Sequence, residues 1–159
     1  MKILVSACLL GYKCKYNGGD NFTPSIAALA QEHTLIPVCP EVAGGLPVPR
    51  LPCEIVGGEV INTAGENKTA AFRAGAEQCL ALAGEKRIDL AILQSRSPSC
   101  GVKQIYDGTF SGRLVEGSGV FAALLMEHGF RVMDAEDQAL TCPGLAGNPV
   151  FSATEERET

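Results

Sequence analysis

Three of the seven cysteines lie just beyond short apolar runs that are typical of buried β-strands. These cysteines are Cys8, Cys39 and Cys100, and the runs before them span residues 3–5, 35–38 and 90–93. In an open parallel sheet, ligands bind in the crevice beyond the carboxyl ends of the strands. If the three runs are parallel neighbours, the three thiols converge there. Convergent thiolates are metal or cluster ligands, so the spacing predicts a metal-dependent site at this edge of the sheet.

The spacing of the cysteines favours an iron–sulfur cluster over a structural zinc site. A structural zinc site needs four ligands, usually in two close pairs, and no two cysteines of this chain stand three residues apart. Iron–sulfur clusters accept thiolates from distant segments when the fold brings them together. Three thiolates on a four-iron cubane leave one iron without a protein ligand. That iron is a Lewis acid with affinity for sulfide or a thiocarbonyl sulfur.

Two polar side chains beside these cysteines are candidate catalytic residues. Glu41 lies two residues after Cys39, with Pro40 stiffening the link, and its carboxylate could act as a general acid or base. Ser97 lies three residues before Cys100, and its hydroxyl could position a substrate or a leaving group. A solvated loop carboxylate and a simple turn serine are the structural alternatives.

Further residues of the same loops are candidate accessory groups. The amide groups from Gly101 onward could form a nest for an anion. Arg50 and Arg96 could hold a carboxylate or phosphate, or could pair with acidic neighbours. Cys14 could be a fourth ligand, a sulfur acceptor or a loop thiol without a ligand role. The remaining cysteines are interpreted as packing or incidental residues: Cys53, Cys79 and Cys142.

Composition limits the class of protein and its partners. The 159 residues are 46 % hydrophobic and 19 % charged, as expected for one globular domain, which we place at residues 1–140 with a tail at 141–159. The formal net charge of −5 argues against a nucleic-acid surface. No leader or membrane-spanning run is evident, and the odd cysteine count indicates a reducing cytoplasm. Neither the composition nor the motifs indicate an oligomeric state.

Alternating strand and helix patterns predict an α/β fold with a small, mostly parallel open sheet, helices on both faces and a short β-ribbon insertion. Strands are expected at 2–6, 35–38, 89–93 and 130–133, the ribbon at 53–61, and helices from 24, from 67 to 83 and from 120 to 126. Gly84 is expected to end the second helix. The proline-rich segment 39–50 is expected to be a rigid loop that contains no helix.

Taken together, six segments resemble the thiouracil desulfidase family. They are SACLLG at 6–11, YNG at 16–18, PVCPE at 37–41, GLPVPR at 45–50, SRSPSCG at 95–101 and GSGV at 117–120. The likeness extends to about residue 134. It departs from the family pattern at Gln94, where many relatives have lysine, and at Asn17, where aspartate is common. Both departures bear on the details of the substrate.

The resemblance implies a 4Fe–4S cluster held by Cys8, Cys39 and Cys100. It also implies non-redox desulfuration of thiouracil or a related thiolated base or nucleoside, in which sulfur passes to the open iron and leaves as hydrogen sulfide. Glu41 and Ser97 fall at the positions of the family's catalytic residues. Asn17 and Ser99 fall within its motifs and are candidate accessory residues.

Two other classes of function remain possible on the residues alone. One is a zinc-dependent or cluster-free hydrolase with Cys100 or Ser97 as nucleophile, although no histidine lies in the cysteine loops to serve as base. The other is a non-enzymatic protein that binds a metal, a cluster or a small anion. Turnover of a thiolated base separates the desulfidase from both.

Overall fold

The computed structural model describes residues 1–137. Its strands are β1 Lys2–Ser6, β2 Thr34–Val38, β3 Cys53–Val56, β4 Glu59–Asn62, β5 Leu90–Leu93, β6 Gln104–Tyr106, β7 Leu114–Glu116 and β8 Val132–Asp134. Its α-helices are α1 Pro24–Ala27, α2 Pro40–Ala43, α3 Thr69–Lys86 and α4 Val120–Glu127. Two 3-10 turns complete the list, Ala7–Leu10 and Ala28–Gln31. The predicted tail and Cys142 lie outside the described residues.

The central sheet has four parallel strands in the order β2-β1-β5-β8. Strand β1 lies in the middle, with β2 and β5 on either side, so the three predicted cysteine strands are direct neighbours. All four residues of β5 are buried, as expected for a strand covered on both faces. The predicted α/β class with a mostly parallel sheet is confirmed.

Alternation along the strands sends apolar side chains to two separate cores, one on each face of the sheet. On one face Leu4 and Leu93 pack in a cluster with residues of α3 and α4, including Phe121. On the other face Ile3 and Ile92 pack with Ile26 of α1 and the first 3-10 turn. Helical structure therefore covers both faces, as the sequence predicts.

Two antiparallel ribbons lie outside the central sheet. The predicted ribbon is confirmed as β3 paired with β4, and Gly57 and Gly58 both have the positive φ that a tight hairpin turn requires. The second ribbon pairs β6 with β7, after the cysteine loop at 94–101. These ribbons matter for function because residues of β3 and of the β6–β7 ribbon reach the cavity described below.

Two sequence predictions of local structure are wrong. Segment 39–50 contains one turn of helix, α2, because Pro40 occupies its first position, where a proline costs no hydrogen bond. Helix α3 passes through Gly84 and continues to Lys86, and Arg87 takes the left-handed conformation that follows it, with φ 54°. Gly84 costs some helical stability, but the contacts of α3 with the core outweigh that cost.

Helices α2 and α3 approach so closely that a glycine is required at their contact. A Cβ atom on Gly75 of α3 would lie 1.7 Å from the carbonyl oxygen of Pro40, and one on Gly44 would lie 2.0 Å from that of Ala71. Real Cβ atoms do not come so near to backbone atoms. The close approach fixes α2, which carries Glu41, against the long helix.

Gly75→Ala is therefore expected to lower the free energy of unfolding by about 1–3 kcal/mol, because α2 must move away from α3. Gly84→Ala in the same helix is the matched control, since a Cβ there meets nothing within 4 Å. We expect it to raise the free energy of unfolding by about 0.5–1 kcal/mol. Urea unfolding of both variants measures the difference, and equal effects would contradict the close contact.

Within residues 1–137, no helix is both long and apolar enough to cross a lipid bilayer.

Candidate active site

The three neighbouring strands β2, β1 and β5 all end at one edge of the sheet, and each delivers a cysteine there. Cys8 lies in the 3-10 turn after β1, Cys39 precedes the first turn of α2, and Cys100 lies in the loop after β5. All three line a single cavity of about 600 Å³. The hydroxyl of Ser6 accepts a hydrogen bond from the Gln94 amide at 2.9 Å, which ties the ends of β1 and β5 together.

The thiols of Cys8 and Cys100 are buried, with 8 % and 4 % of each residue exposed. Burial raises the pKa of both, because the thiolate loses its hydration. Polar partners lie near each sulfur: the Asn21 amide nitrogen is 3.8 Å from Cys8 Sγ, and Ser99 Oγ is 3.7 Å from Cys100 Sγ. The Asn21 amide is a donor that stabilises a thiolate, or the sulfur of a metal thiolate, at Cys8.

Cys14 lies beside Cys39 and lines the same cavity. A hydrogen bond between the neighbouring Cys14 and Cys39 thiols lowers the pKa of Cys39. The same bond and burial together raise the pKa of Cys14. The Cys14 carbonyl oxygen is also 3.9 Å from Cys39 Sγ. The structure therefore places Cys14 in the site, next to the thiol that ionises most readily.

Glu41 also lines the cavity, where Arg50 holds its carboxylate from one side. Arg50 Nε and Nη2 lie 3.0 and 2.9 Å from Glu41 Oε1, and only 8 % of the arginine side chain and 13 % of the glutamate side chain are exposed. Arg50 is itself fixed by hydrogen bonds to the carbonyl oxygens of Pro47 and Cys14. Of the two roles open to Arg50, the structure shows the pairing with an acidic neighbour.

Ser99 connects Glu41 to Ser97. The Ser99 hydroxyl donates to Glu41 Oε2 at 2.8 Å and lies 3.0 Å from Ser97 Oγ. Ser97 Oγ accepts hydrogen bonds from the backbone amides of Ser99 and Cys100, at 3.1 and 3.0 Å. Ser97 thus orders the turn that carries Cys100. Hydrogen bonds through Ser99 connect Ser97 to Glu41.

The other candidate accessory residues divide between cavity and surface. Arg96 lines the cavity, and its guanidinium makes two hydrogen bonds with Glu136, at 2.9 and 2.7 Å. Asn17 does not line it, and its side-chain oxygen accepts from the Gly19 amide instead. The anion nest is wrong for Gly101 itself, because its amide already donates to the Ser97 carbonyl at 2.8 Å.

Several cavity residues were not identified from the sequence as site residues. They include Asn21, Glu54, Tyr106 and Phe110. Asn21 follows a turn with no strand before it, and the other three belong to the two ribbons, which local patterns do not place relative to the sheet. Tyr106, at the end of β6, is part of the cavity wall.

The arrangement of donors fits a multi-iron cluster better than a single ion. Within residues 1–137, no three His, Cys, Asp or Glu side chains are close enough together to ligate one metal ion. The three thiols line one cavity of about 600 Å³ at the ends of three strands. A cluster takes each thiolate on a different iron atom, and thiolates are the ligands that iron–sulfur clusters use.

The carboxyl ends of the parallel sheet carry buried thiols, a carboxylate–arginine pair and linked serines. This combination is typical of an α/β enzyme with a thiol-lined active site. More specifically, the chain belongs to the 2-thiouracil desulfurase family, whose family model matches residues 3–137. As a member of that family it is an enzyme of the class that removes sulfur from thiouracil. The resemblance stated from the sequence is thereby confirmed.

Two known proteins are similar to this chain over most of its length. The solved structure of the 4Fe–4S-dependent thiouracil desulfidase TudS matches with a TM-score of 0.81 and 45 % sequence identity, covering 86 % of this chain and 91 % of that one. The uncharacterised protein YbbK of Bacillus subtilis (strain 168) is 41 % identical over 145 residues, which cover 85 % of this chain and 96 % of YbbK.

Proposed function

We propose that this enzyme hydrolyses the thiocarbonyl group of 2-thiouracil, or of a related thiolated base or nucleoside, with a 4Fe–4S cluster as cofactor. The observation that carries the proposal is that Cys8, Cys39 and Cys100 share one cavity with the Glu41 carboxylate. Membership of the 2-thiouracil desulfurase family and the similarity to TudS support it.

The residues that would hold the cluster are Cys8, Cys39 and Cys100. When bound, a cluster with three protein ligands supplies a Lewis-acidic iron with affinity for a thiocarbonyl sulfur. The chain keeps the Cys8 and Cys100 sulfurs buried and places the Asn21 amide, a hydrogen-bond donor, beside Cys8. Such donors orient thiolate ligands and tune their basicity.

The overall reaction exchanges one sulfur for one oxygen without a change of oxidation state. Water adds to the thiocarbonyl carbon, the carbon–sulfur bond breaks, and the sulfur leaves as hydrogen sulfide with the two protons of the water. A base is needed to take a proton from the attacking water. Glu41 has that role because its carboxylate lies in the cavity and is held in one position by Arg50.

The serine pair provides a path for the proton that Glu41 accepts. Ser99 already donates to Glu41 Oε2, and Ser97 lies within hydrogen-bond distance of Ser99. Since both backbone amides that reach Ser97 donate to it, its own hydroxyl proton is available for Ser99 or for a bound base. Ser97 and Ser99 therefore move and hold protons while Glu41 acts as the base.

A cluster-free cysteine hydrolase is less consistent with the site. No histidine lines the cavity among the described residues, and burial raises the pKa of Cys100. A buried thiol without a base is a poor nucleophile. The site thus favours the cluster-dependent desulfidase over the cluster-free hydrolase, in agreement with the family to which the chain belongs.

The substrate is a small molecule of the cytoplasm in this proposal. A net charge of −5 disfavours the phosphate backbone of a nucleic acid. The six cysteines within the described residues are all free thiols, as expected in a reducing compartment.

Anaerobic purification followed by analysis of iron, acid-labile sulfide and catalysis tests the proposal. We expect about four irons and four sulfides per chain, and equal amounts of uracil and hydrogen sulfide formed from 2-thiouracil. Protein stripped of iron by a chelator is the control and should release no sulfide. Full cluster content without formation of uracil from 2-thiouracil or 4-thiouracil, or of uridine from 2-thiouridine, would contradict the proposed reaction.

A further inference from the structure

Phe110 combines an unusual backbone conformation with a place in the wall of the active-site cavity. It lies in the turn that joins β6 to β7 and has φ 58°, in the left-handed region. Bulky side chains rarely take this conformation, which glycine, asparagine and aspartate tolerate far better. The residue lines the cavity and remains 38 % exposed. An aromatic ring is thus held, at a cost in strain, at the opening of the thiol-lined cavity.

A buried glutamate from the other ribbon holds this turn in place. Glu54 of β3 is only 9 % exposed, and its Oε1 accepts hydrogen bonds from the backbone amides of Gly108 and Phe110, at 2.9 and 3.0 Å. The turn sits directly on β3, since a Cβ on Gly108 would lie 2.7 Å from the Ile55 carbonyl oxygen. These contacts offset the strain at Phe110 and fix the position of its backbone.

The turn is also rigid within itself. Asp107 Oδ1 accepts from the Thr109 amide and hydroxyl, at 2.9 and 2.6 Å, and the Asp107 amide donates to the Arg113 carbonyl. A turn that only had to connect two short strands would need neither a buried carboxylate nor a strained phenylalanine. Strain that the surroundings maintain in this way is characteristic of functional sites.

We propose that Phe110 is the stacking surface for the flat ring of the thiolated base, and that Glu54 is the positioning residue that fixes this surface. Tyr106 of the same ribbon lines the same cavity. The inference rests on the proposed function and adds the group that recognises the pyrimidine ring. Stacking of a base on an aromatic side chain strengthens binding and needs no particular hydrogen-bond pattern.

Steady-state kinetics of cluster-loaded variants test the role of the ring. Phe110→Ala is expected to raise the KM for 2-thiouracil about tenfold and to change kcat less than about threefold, because stacking acts on binding. Phe110→Tyr, which keeps an aromatic face, should stay close to the wild-type KM. A wild-type KM in Phe110→Ala would overturn the proposal.

Glu54 variants separate positioning from chemistry. Glu54→Ala removes the acceptor of both amides and should raise KM about as much as Phe110→Ala. Glu54→Gln keeps a side-chain oxygen that can accept both hydrogen bonds, so it should behave like the wild type. A large fall of kcat in Glu54→Gln would show that the carboxylate takes part in the reaction, and would overturn the positioning role.

A fluorescence measurement tests stacking without turnover. The sequence contains no tryptophan, so Phe110→Trp introduces a single reporter at the cavity. Phe22→Trp is the matched control, because Phe22 is 53 % exposed and does not line the cavity. Uracil should quench the emission of Phe110→Trp in a saturable way and leave Phe22→Trp unchanged. No quenching, or equal quenching of both, would overturn the stacking surface.

Failure of this inference is distinguishable from failure of the proposed function. If the cluster-loaded wild-type enzyme releases no sulfide from any thiolated base, the proposed reaction is wrong, whether or not uracil quenches the emission of Phe110→Trp. If the wild type turns over while every Phe110 variant keeps its KM, only the stacking surface is wrong.

Discussion

Alanine at Cys8, Cys39 or Cys100 should each leave a protein with little iron and no sulfide release from 2-thiouracil above background. Each of these thiols comes from a different strand, and together they are the three proposed ligands around one cavity. The loss of any one leaves two thiolates, which is too few for a site-differentiated cubane. Iron and acid-labile sulfide per chain, measured after anaerobic reconstitution, report the effect directly.

Two other cysteines serve as controls for this experiment. Cys79 is as buried as Cys100, but it lies on α3, where it packs in the core, and it does not line the cavity. Burial raises the pKa of Cys79 to about 12, so it remains a thiol. Cys79→Ala should lose some stability and keep its iron. Cys14→Ala should also keep its cluster, because only three thiolates are ligands in this proposal.

Either of two results would contradict the proposed ligand set. If Cys14→Ala loses iron as completely as Cys39→Ala, then Cys14 is a fourth ligand and no iron is left open to the substrate sulfur. If any one of the three proposed ligands can be replaced without loss of iron, the assignment of that residue is wrong. Circular dichroism of each variant verifies that the fold is retained.

The gathering of cysteines was predictable because two simple patterns determine it. Apolar runs mark the buried strands, and parallel connection places all their carboxyl ends at one edge. Cys8, Cys39 and Cys100 need only follow their strands to meet there. Neither pattern depends on contacts between distant side chains, so the sequence alone suffices for this part of the site.

The groups that complete the site depend on tertiary contacts and were not predictable in the same way. Ser99 follows Ser97 by only two residues, and nothing in the sequence shows that it is Ser99 that bonds Glu41. Helix α2 exists because Pro40 can start a helical turn and Gly75 lets the turn pack against α3. The places of Glu54 and Phe110 follow from how one ribbon packs on the other, which local periodicity does not specify.

Glu41→Gln should reduce kcat for 2-thiouracil by about 10²–10⁴-fold while the cluster content stays at the wild-type level. The substituted side chain keeps an oxygen that can accept from Arg50, but its amino group cannot accept the Ser99 hydroxyl proton. It also cannot take a proton from water. Since all three proposed ligands remain, the fall belongs to proton transfer and is measured by sulfide release per cluster.

A stability measurement and one control variant establish that the effect comes from Glu41 itself and not from local disorder. Arg50 loses its charged partner in Glu41→Gln, and an unpaired buried charge costs several kcal/mol of stability, so the thermal unfolding of each variant is measured in parallel. Glu136→Gln is the matched control, because Glu136 also pairs with an arginine but is largely exposed, and its kcat should stay within about twofold.

Ser99→Ala tests the hydrogen-bonded path separately. It leaves Glu41 and Arg50 paired and removes only the hydroxyl that joins Glu41 to Ser97. We expect a smaller fall in kcat, about 10–100-fold, because the carboxylate remains but its link to the serine pair is cut. A folded, cluster-loaded Glu41→Gln enzyme with nearly wild-type kcat would show that another group accepts the proton, and the Ser99 result would then identify whether that group lies on the serine side of the cavity.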